Sequence, residues 1–134
     1  MKVAGIVAEY NPFHRGHAYQ IEETRKKTGA DVIVAVISGS FVQRGAPALF
    51  DAHARARLAL LGGADLVFAL PAANACQSAE FFARAGVKLL DGLGCVDVLS
   101  FGSECGDIRA LEELARTLLD EPEDYRETLK IRLR

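Results

Sequence analysis

The sequence predicts an α/β domain built as a doubly wound parallel sheet with helices on both faces, and three observations carry that prediction. Short apolar, β-branched runs alternate with longer amphipathic stretches from one end of the chain to the other. Most links between them are short, as they are in parallel strands joined by right-handed crossover helices. The strand runs are apolar throughout instead of alternating, the pattern of strands covered on both faces.

Taken in order, Val3 to Ala8 reads as the first strand. His17 to Thr28 turns polar with apolar residues at Ala18, Tyr19 and Ile21, and ends in Lys26, Lys27 and Gly29, which suit a helix C-terminus and its cap. DVIVAVIS, from Asp31 to Ser38, is the second strand, marked by its β-branched residues. A long loop over 38–50 follows, and long loops in compact domains are often functional. Asp51 fits the N-cap of a helix running to about Leu61, stopped by Gly62 and Gly63. DLVFAL, from Asp65 to Leu70, is the third strand, ended by Pro71. Asn74 with Gln77 resembles a capping box opening a helix through Leu90, which Gly92 terminates. VDVLSF, from Val96 to Phe101, is the fourth strand, and Asp107 caps a helix reaching Leu119. The expected domain spans 1–120. Residues 121–134 form a charged, helical segment without a packing partner, which suggests a chain continuing beyond Arg134.

The chain has 134 residues, enough for one core without disulfides or metal. Its net charge of -2 and pI near 5.9 argue against a domain that grips nucleic acid by bulk charge, since such domains carry a basic excess; RNA stays open as the substrate of a longer protein, with weak binding expected of these residues alone. Cys76, Cys95 and Cys105 form no CxxC pair and no zinc set, so they read as reduced thiols, mostly small buried residues. No metal ligands are assigned. No apolar stretch approaches a membrane span and the N-terminus lacks a signal-peptide pattern, so a soluble, cytoplasmic protein without membrane contact is expected.

The chemistry concentrates in NPFHRGH, residues 11 to 17. In an open parallel sheet, ligands bind beyond the carboxyl ends of the strands, and this segment follows the first strand. Backbone amides and the helix dipole there favour an anion, and Gly16 allows close approach of a phosphate. His14 and His17 can each donate a hydrogen bond to phosphate oxygens and stabilise charge during attack on phosphorus. The same pair also fits a structural or solvated turn. Glu9 and Asn11 converge on that edge, either to position a substrate or to satisfy local backbone groups. Ser38, Ser40, Gln43 and Arg44 in the long loop are candidates for substrate contact; Arg44 fits a carboxylate or phosphate fork, or an exposed loop arginine. Arg55, four residues after Asp51, fits an intrahelical ion pair. Glu80 suits its helix's first turn, and Phe81 and Phe82 read as core.

HRGH fits the HxGH signature of the nucleotidyltransferase and class I synthetase superfamily, whose fold is Rossmann-like. The wider run GIVAEYNPFHRGHAYQI, followed in order by VISGSFVQRGAPALFD, GADLVFALP, SAEFFARAGVKLL and LSFGSE, resembles the bacterial tRNA(Met) cytidine acetate ligase family over nearly the whole chain. The resemblance implies an ATP-dependent ligase. Acetate and ATP would give acetyl-adenylate and pyrophosphate, and the wobble cytidine N4 of elongator tRNA(Met) would then take the acetyl group. It implies that ATP is held by Ile6, Val7, Ala8, Glu9, Tyr10, Asn11, Pro12, Phe13, His14, Arg15, Gly16, His17, Ala18 and Tyr19, with Gly102 beside the nucleotide. His14 and His17 would be the catalytic pair, with Mg2+ accompanying ATP. Gly102 by itself also fits a plain turn. The family often carries a lysine after the aspartate where Ala52 and His53 stand here. Its remaining nucleotide contacts, and the regions that grip tRNA, are expected beyond residue 134. Two other readings keep the site: a nucleotidyltransferase acting on a small phosphorylated metabolite, and a non-catalytic nucleotide-binding module.

Overall fold

The structure is a computed structural model that describes residues 1–133. Four parallel strands, β1 (Val3–Ala8), β2 (Val32–Ser38), β3 (Leu66–Leu70) and β4 (Val98–Ser100), lie in the order β3-β2-β1-β4. The register runs from Val3↔Val32 to Ala8↔Ile37 across β1 and β2, with Ala4↔Val98 opening the β1–β4 pair. The helices are α1 (Arg15–Thr28), α2 (Ala52–Leu61), α3 (Ala72–Ala75), α4 (Ala79–Gly92), α5 (Ile108–Asp120) and α6 (Glu123–Arg132).

Side chains alternate across a strand, so the apolar runs supply two cores. On one face Ala4, Ile6, Ile33, Ala35 and Ile37 pack with Ile21 of α1 and Ala59 of α2. On the other, Val3, Val34 and Val36 pack with Ala75, Phe82 and Leu90 of α3 and α4. Helices therefore cover both faces, as the doubly wound class requires. The crossovers from β1 and β2 use one face and that from β3 uses the other. The order in which strands are added reverses between β1 and β4, the switch point at which such sheets bind ligands.

Three aspartates adjust the predicted strand limits. Asp31, Asp65 and Asp97 each precede a strand instead of lying in one. Their carboxylates accept the backbone N–H of Lys2 (2.7 Å), Ile33 (2.7 Å) and Val3 (2.8 Å) on the adjoining strand. A side chain thus occupies the first rung of each ladder, and β4 shrinks to three residues, with Val96 and Phe101 outside it.

The capping box at Asn74 does not form. Pro71 opens α3, with Asn74 inside it, and the Gln77 amide donates to the Ala73 carbonyl (3.0 Å). The following helix starts after Ser78 and runs through Gly92, so Leu90 is not its end. Phe82 is 8% exposed but Phe81 is 52% exposed, because consecutive helical residues cannot both face the sheet. The cysteines are not core residues: Cys95 and Cys105 are exposed and Cys76 half-buried, since all three lie in connections.

Two glycines let α4 approach β1. A Cβ on Gly86 would stand 2.5 Å from a Val7 methyl, and one on Gly5 would stand 2.7 Å from Leu90. Gly92, at the end of the same helix, would meet nothing within 4 Å. Alanine is the better helix former at both positions, by about 1 kcal/mol. Gly92→Ala is therefore expected to raise the thermal midpoint. Gly86→Ala is expected to lower it, because overpacking at about 1–3 kcal/mol outweighs the propensity gain. Paired thermal melts check the opposite signs.

Residues Met1–Phe101 form one compact unit and those from Gly102 onward a second. In the second, the Asp107 carboxylate caps α5 by accepting from Arg109 N (2.9 Å), and neither α5 nor α6 contains a buried residue. Arg134, at the end of the charged segment, lies outside the described residues. Among the described residues no helix is long and apolar enough to cross a membrane.

Candidate functional site

Helix α1 starts at Arg15, two residues earlier than the periodicity predicts, because His14 is its N-cap and His17 its third residue. The two imidazoles support the helix start reciprocally. His14 Nδ1 accepts from Gly16 N (3.1 Å), and His17 Nδ1 accepts from His14 N (3.2 Å). An imidazole that accepts at Nδ1 carries its proton at Nε2 in the neutral form. The network therefore sets both tautomers alike and leaves two Nε2–H donors. The rings are stacked, with centroids 3.6 Å apart and planes at 22°. The amides at this helix start are already used within it: those of His17 and Ala18 go to the His14 carbonyl (3.0 and 3.2 Å). Imidazole N–H groups, more than backbone amides, are what the site offers an anion. Gly16 makes room for this, since a Cβ there would stand 3.0 Å from the His14 ring.

Aromatic rings hold the pair from below. Tyr10, 1% exposed, lies edge-on to Phe13 at 4.9 Å and tilted against His17 at 4.7 Å. Burial pushes the Tyr10 phenol up to about 12, so it stays neutral, and its Oη has no hydrogen-bond partner among the described residues. Phe13 lies where a Cβ on Gly62 would fall, 2.3 Å from the ring. That glycine is therefore more than the helix stop read from sequence. The His17 pKa is lowered from its ordinary 6.5, first by burial and then by repulsion from His14.

The long loop is tied to this segment. Glu9 Oε1 accepts from Gln43 N (2.7 Å), and Asn11 Oδ1 accepts from Leu49 N (2.7 Å). A 3-10 turn over Gln43–Gly45 and a bridge between Phe41 and Pro47 shape the loop. Glu9 and Asn11 thus each satisfy one backbone N–H of the long loop. Ser40 is exposed and its carbonyl accepts from Ala48 N (3.0 Å), while Arg44 is exposed with φ 66°. Ile6 and Val7 face opposite cores, Ala8 ends β1, and Asn11–Pro12 is a cis peptide. Arg15, Ala18 and Tyr19 lie on α1, and Gly102 belongs to the second unit, with room for a Cβ.

Ser38 turns away from solvent toward Arg55, and here the sequence reading is corrected. Arg55 makes no ion pair with Asp51, whose carboxylate caps α2 at Ala54 N (2.9 Å). The Arg55 side chain is 0% exposed and runs inward to the carboxyl ends of β1 and β2. It donates to the carbonyls of Glu9 (2.6 Å), Ser38 (2.8 Å), Phe50 (3.0 Å) and Gly39, and to Ser38 Oγ (3.1 Å). Burial lowers its pKa, opposed by Glu9 and Asp51, and a guanidinium stays charged regardless. Arg55 thus joins β1, β2 and the loop. Nothing in its sequence spacing marks this role.

The family model described as HIGH Nucleotidyl Transferase matches residues 1–134. The chain is 53% identical over 133 residues to a tRNA(Met) cytidine acetate ligase of Clostridium kluyveri, covering 99% of this chain and 33% of that protein. It is 51% identical over 130 residues to one of Acetivibrio thermocellus, covering 97% and 31%. Among solved structures, Thermotoga maritima TmcAL bound with alpha-thio ATP superposes with a TM-score of 0.89 at 46% identity, over 99% of this chain and 32% of that one. The chain spans about a third of the length of the curated relatives it matches.

Proposed function

Because the chain belongs to the HIGH nucleotidyl transferase family, we propose that His14 and His17 bind the phosphates of ATP at the β1 exit. The chemistry served there is that of a tRNA(Met) cytidine acetate ligase. One observation carries the reading: two fixed Nε2–H donors at the switch point of a fold that superposes on an ATP-analogue complex. An acetate oxygen attacks the α-phosphorus while the bond to the β-phosphate breaks and pyrophosphate leaves. The N4 amine of the wobble cytidine then attacks the acetyl carbon of acetyl-adenylate. That bond forms as the acyl C–O bond breaks, AMP departs and the nitrogen loses a proton. The imidazoles stabilise the phosphate charge that moves in the first step, without themselves forming a bond.

Among the described residues no three His, Cys, Asp or Glu side chains cluster as a metal cage. Mg2+ therefore fits this donor set as part of MgATP, a substrate, where it neutralises the leaving pyrophosphate. The segment from Ile6 to Tyr19 is the proposed ATP cradle, with Gly102 a further contact. Ser40, Gln43 and Arg44 stand toward the acyl side, and buried Ser38 serves the site through Arg55. Cytoplasmic placement follows from the tRNA substrate.

Acetate-dependent exchange of pyrophosphate into ATP by the whole gene product tests the reading. Exchange with another acid, or a stable dinucleotide-like product, would replace it by the nucleotidyltransferase alternative. The His17 shift adds a pH signature. Its lowered pKa favours the neutral His17 imidazole in the free site, and a bound triphosphate favours the imidazolium. Binding is therefore expected to take up protons near about pH 6 and none near about pH 8. Calorimetry in buffers of different ionisation enthalpy measures the uptake, which should fall in His17→Gln.

A further inference from the structure

On the outer side of α3 and α4 lies a groove of about 350 Å³ lined by Asn74, Gln77, Phe81, Arg84 and Lys88. It combines two cations, two side-chain amides and an exposed ring. On α1, Lys26 and Lys27 are paired with Glu22 and Glu23. Glu80 and Asp91 stand four residues before Arg84 and three after Lys88, yet neither cation has a carboxylate within 4.0 Å among the described residues. Phe81, at helical spacing from both, is 52% exposed between them and two side-chain amides.

The groove is also connected to the site. Gln43 N is bonded to Glu9 at the β1 exit, and the next residue, Arg44, donates its N–H to the Gln77 carbonyl (3.5 Å) at the groove's edge. One loop therefore runs from the imidazole site to the basic, aromatic surface, carrying a further exposed cation.

We propose that this groove docks a single-stranded stretch of the RNA substrate. A base stacks on Phe81, phosphates pair with Arg84 and Lys88, and the amides of Asn74 and Gln77 meet base edges. Unpaired cations beside an exposed ring are complementary to a polyanion with stackable bases. The inference rests on the tRNA substrate proposed above.

Fluorescence anisotropy with a labelled transcript of elongator tRNA(Met), over a salt series, tests it on the whole gene product. Arg84→Ala with Lys88→Ala is expected to weaken binding about tenfold and to reduce the slope of log affinity against log salt by about 1.4, for two lost phosphate contacts. Phe81→Ala is expected to weaken binding about fivefold or more while leaving that slope unchanged. These exposed substitutions should leave thermal midpoints and calorimetric ATP affinity unaltered. Unchanged RNA affinity and slope in both variants would overturn the proposal. So would a dimer that dissociates in the variants with RNA binding intact, which would make the groove an interface between copies. Acetate-dependent exchange separates the two readings. Exchange with unaffected RNA binding removes the groove alone. Weakened RNA binding without exchange removes the ligase reading and keeps the groove.

Discussion

His14→Asn is expected to leave the fold intact and to slow acetate-dependent pyrophosphate exchange by about 10²–10³-fold, the usual cost of losing one positioned donor to a transition-state oxyanion. The substitution is chosen because His14 does two things. Its Nδ1 accepts the Gly16 N–H and starts α1, while its Nε2–H is left for the phosphate. Asparagine is among the best N-cap residues, so its side-chain oxygen takes over the first task and not the second. His14→Ala removes both, and adds about 1 kcal/mol of destabilisation from the lost cap. His17→Gln plays the corresponding part at the third helical position, where an amide oxygen can still accept from His14 N. Because the rings stack on one another, the double variant should lose less than the product of the two single effects. Full exchange activity in a folded His14→Asn protein would show that the imidazole is only a cap.

Arg55→Ala is expected to destabilise the domain by about 3–5 kcal/mol, a large part of a typical 5–15 kcal/mol total. The guanidinium supplies hydrogen bonds to four carbonyls and one hydroxyl in a fully buried position. Truncation removes those donors and leaves a cavity between the ends of β1 and β2. Arg55→Lys keeps the charge but has three donors on a point-like ammonium in place of five in a planar fork, so it should recover only part of the loss. Urea unfolding of the three proteins measures the order. A substitution at exposed Arg57, two positions along the same helix, should stay within about 0.5 kcal/mol of the parent. An Arg55→Ala protein as stable as the parent would mean that water replaces the guanidinium at the carbonyls.

Much of this was legible from residue order because the information is local. Apolar β-branched runs such as VIVAVI cannot be exposed, and parallel strands need crossovers, so the layered class and most elements follow. The HRGH segment after the first strand marked the candidate site for the same reason, since the carboxyl ends of such strands are where helices begin. The misplaced features have a common cause in competition for backbone groups. Asp31, Asp65 and Asp97 lie next to strands in sequence but bond across to neighbouring ones. Pro71 opens α3 ahead of Asn74, so the Asn74–Gln77 pattern falls inside and beyond that helix instead of at its start.

The sequence by itself determined the alternation of strands and helices, the switch-point location of NPFHRGH and the family to which that segment points. Only the tertiary structure decided which atoms of that segment remain available. Both Nδ1 atoms face backbone amides, so the donors are Nε2–H, and that depends on a three-dimensional helix start. Only the tertiary structure, likewise, turned Arg55 from the partner of Asp51 into the bond between two strand ends. Its acceptors at Glu9, Ser38 and Gly39 lie 46, 17 and 16 residues away. Periodicity reports neighbours within one turn, and a long side chain satisfying distant carbonyls leaves no periodic trace.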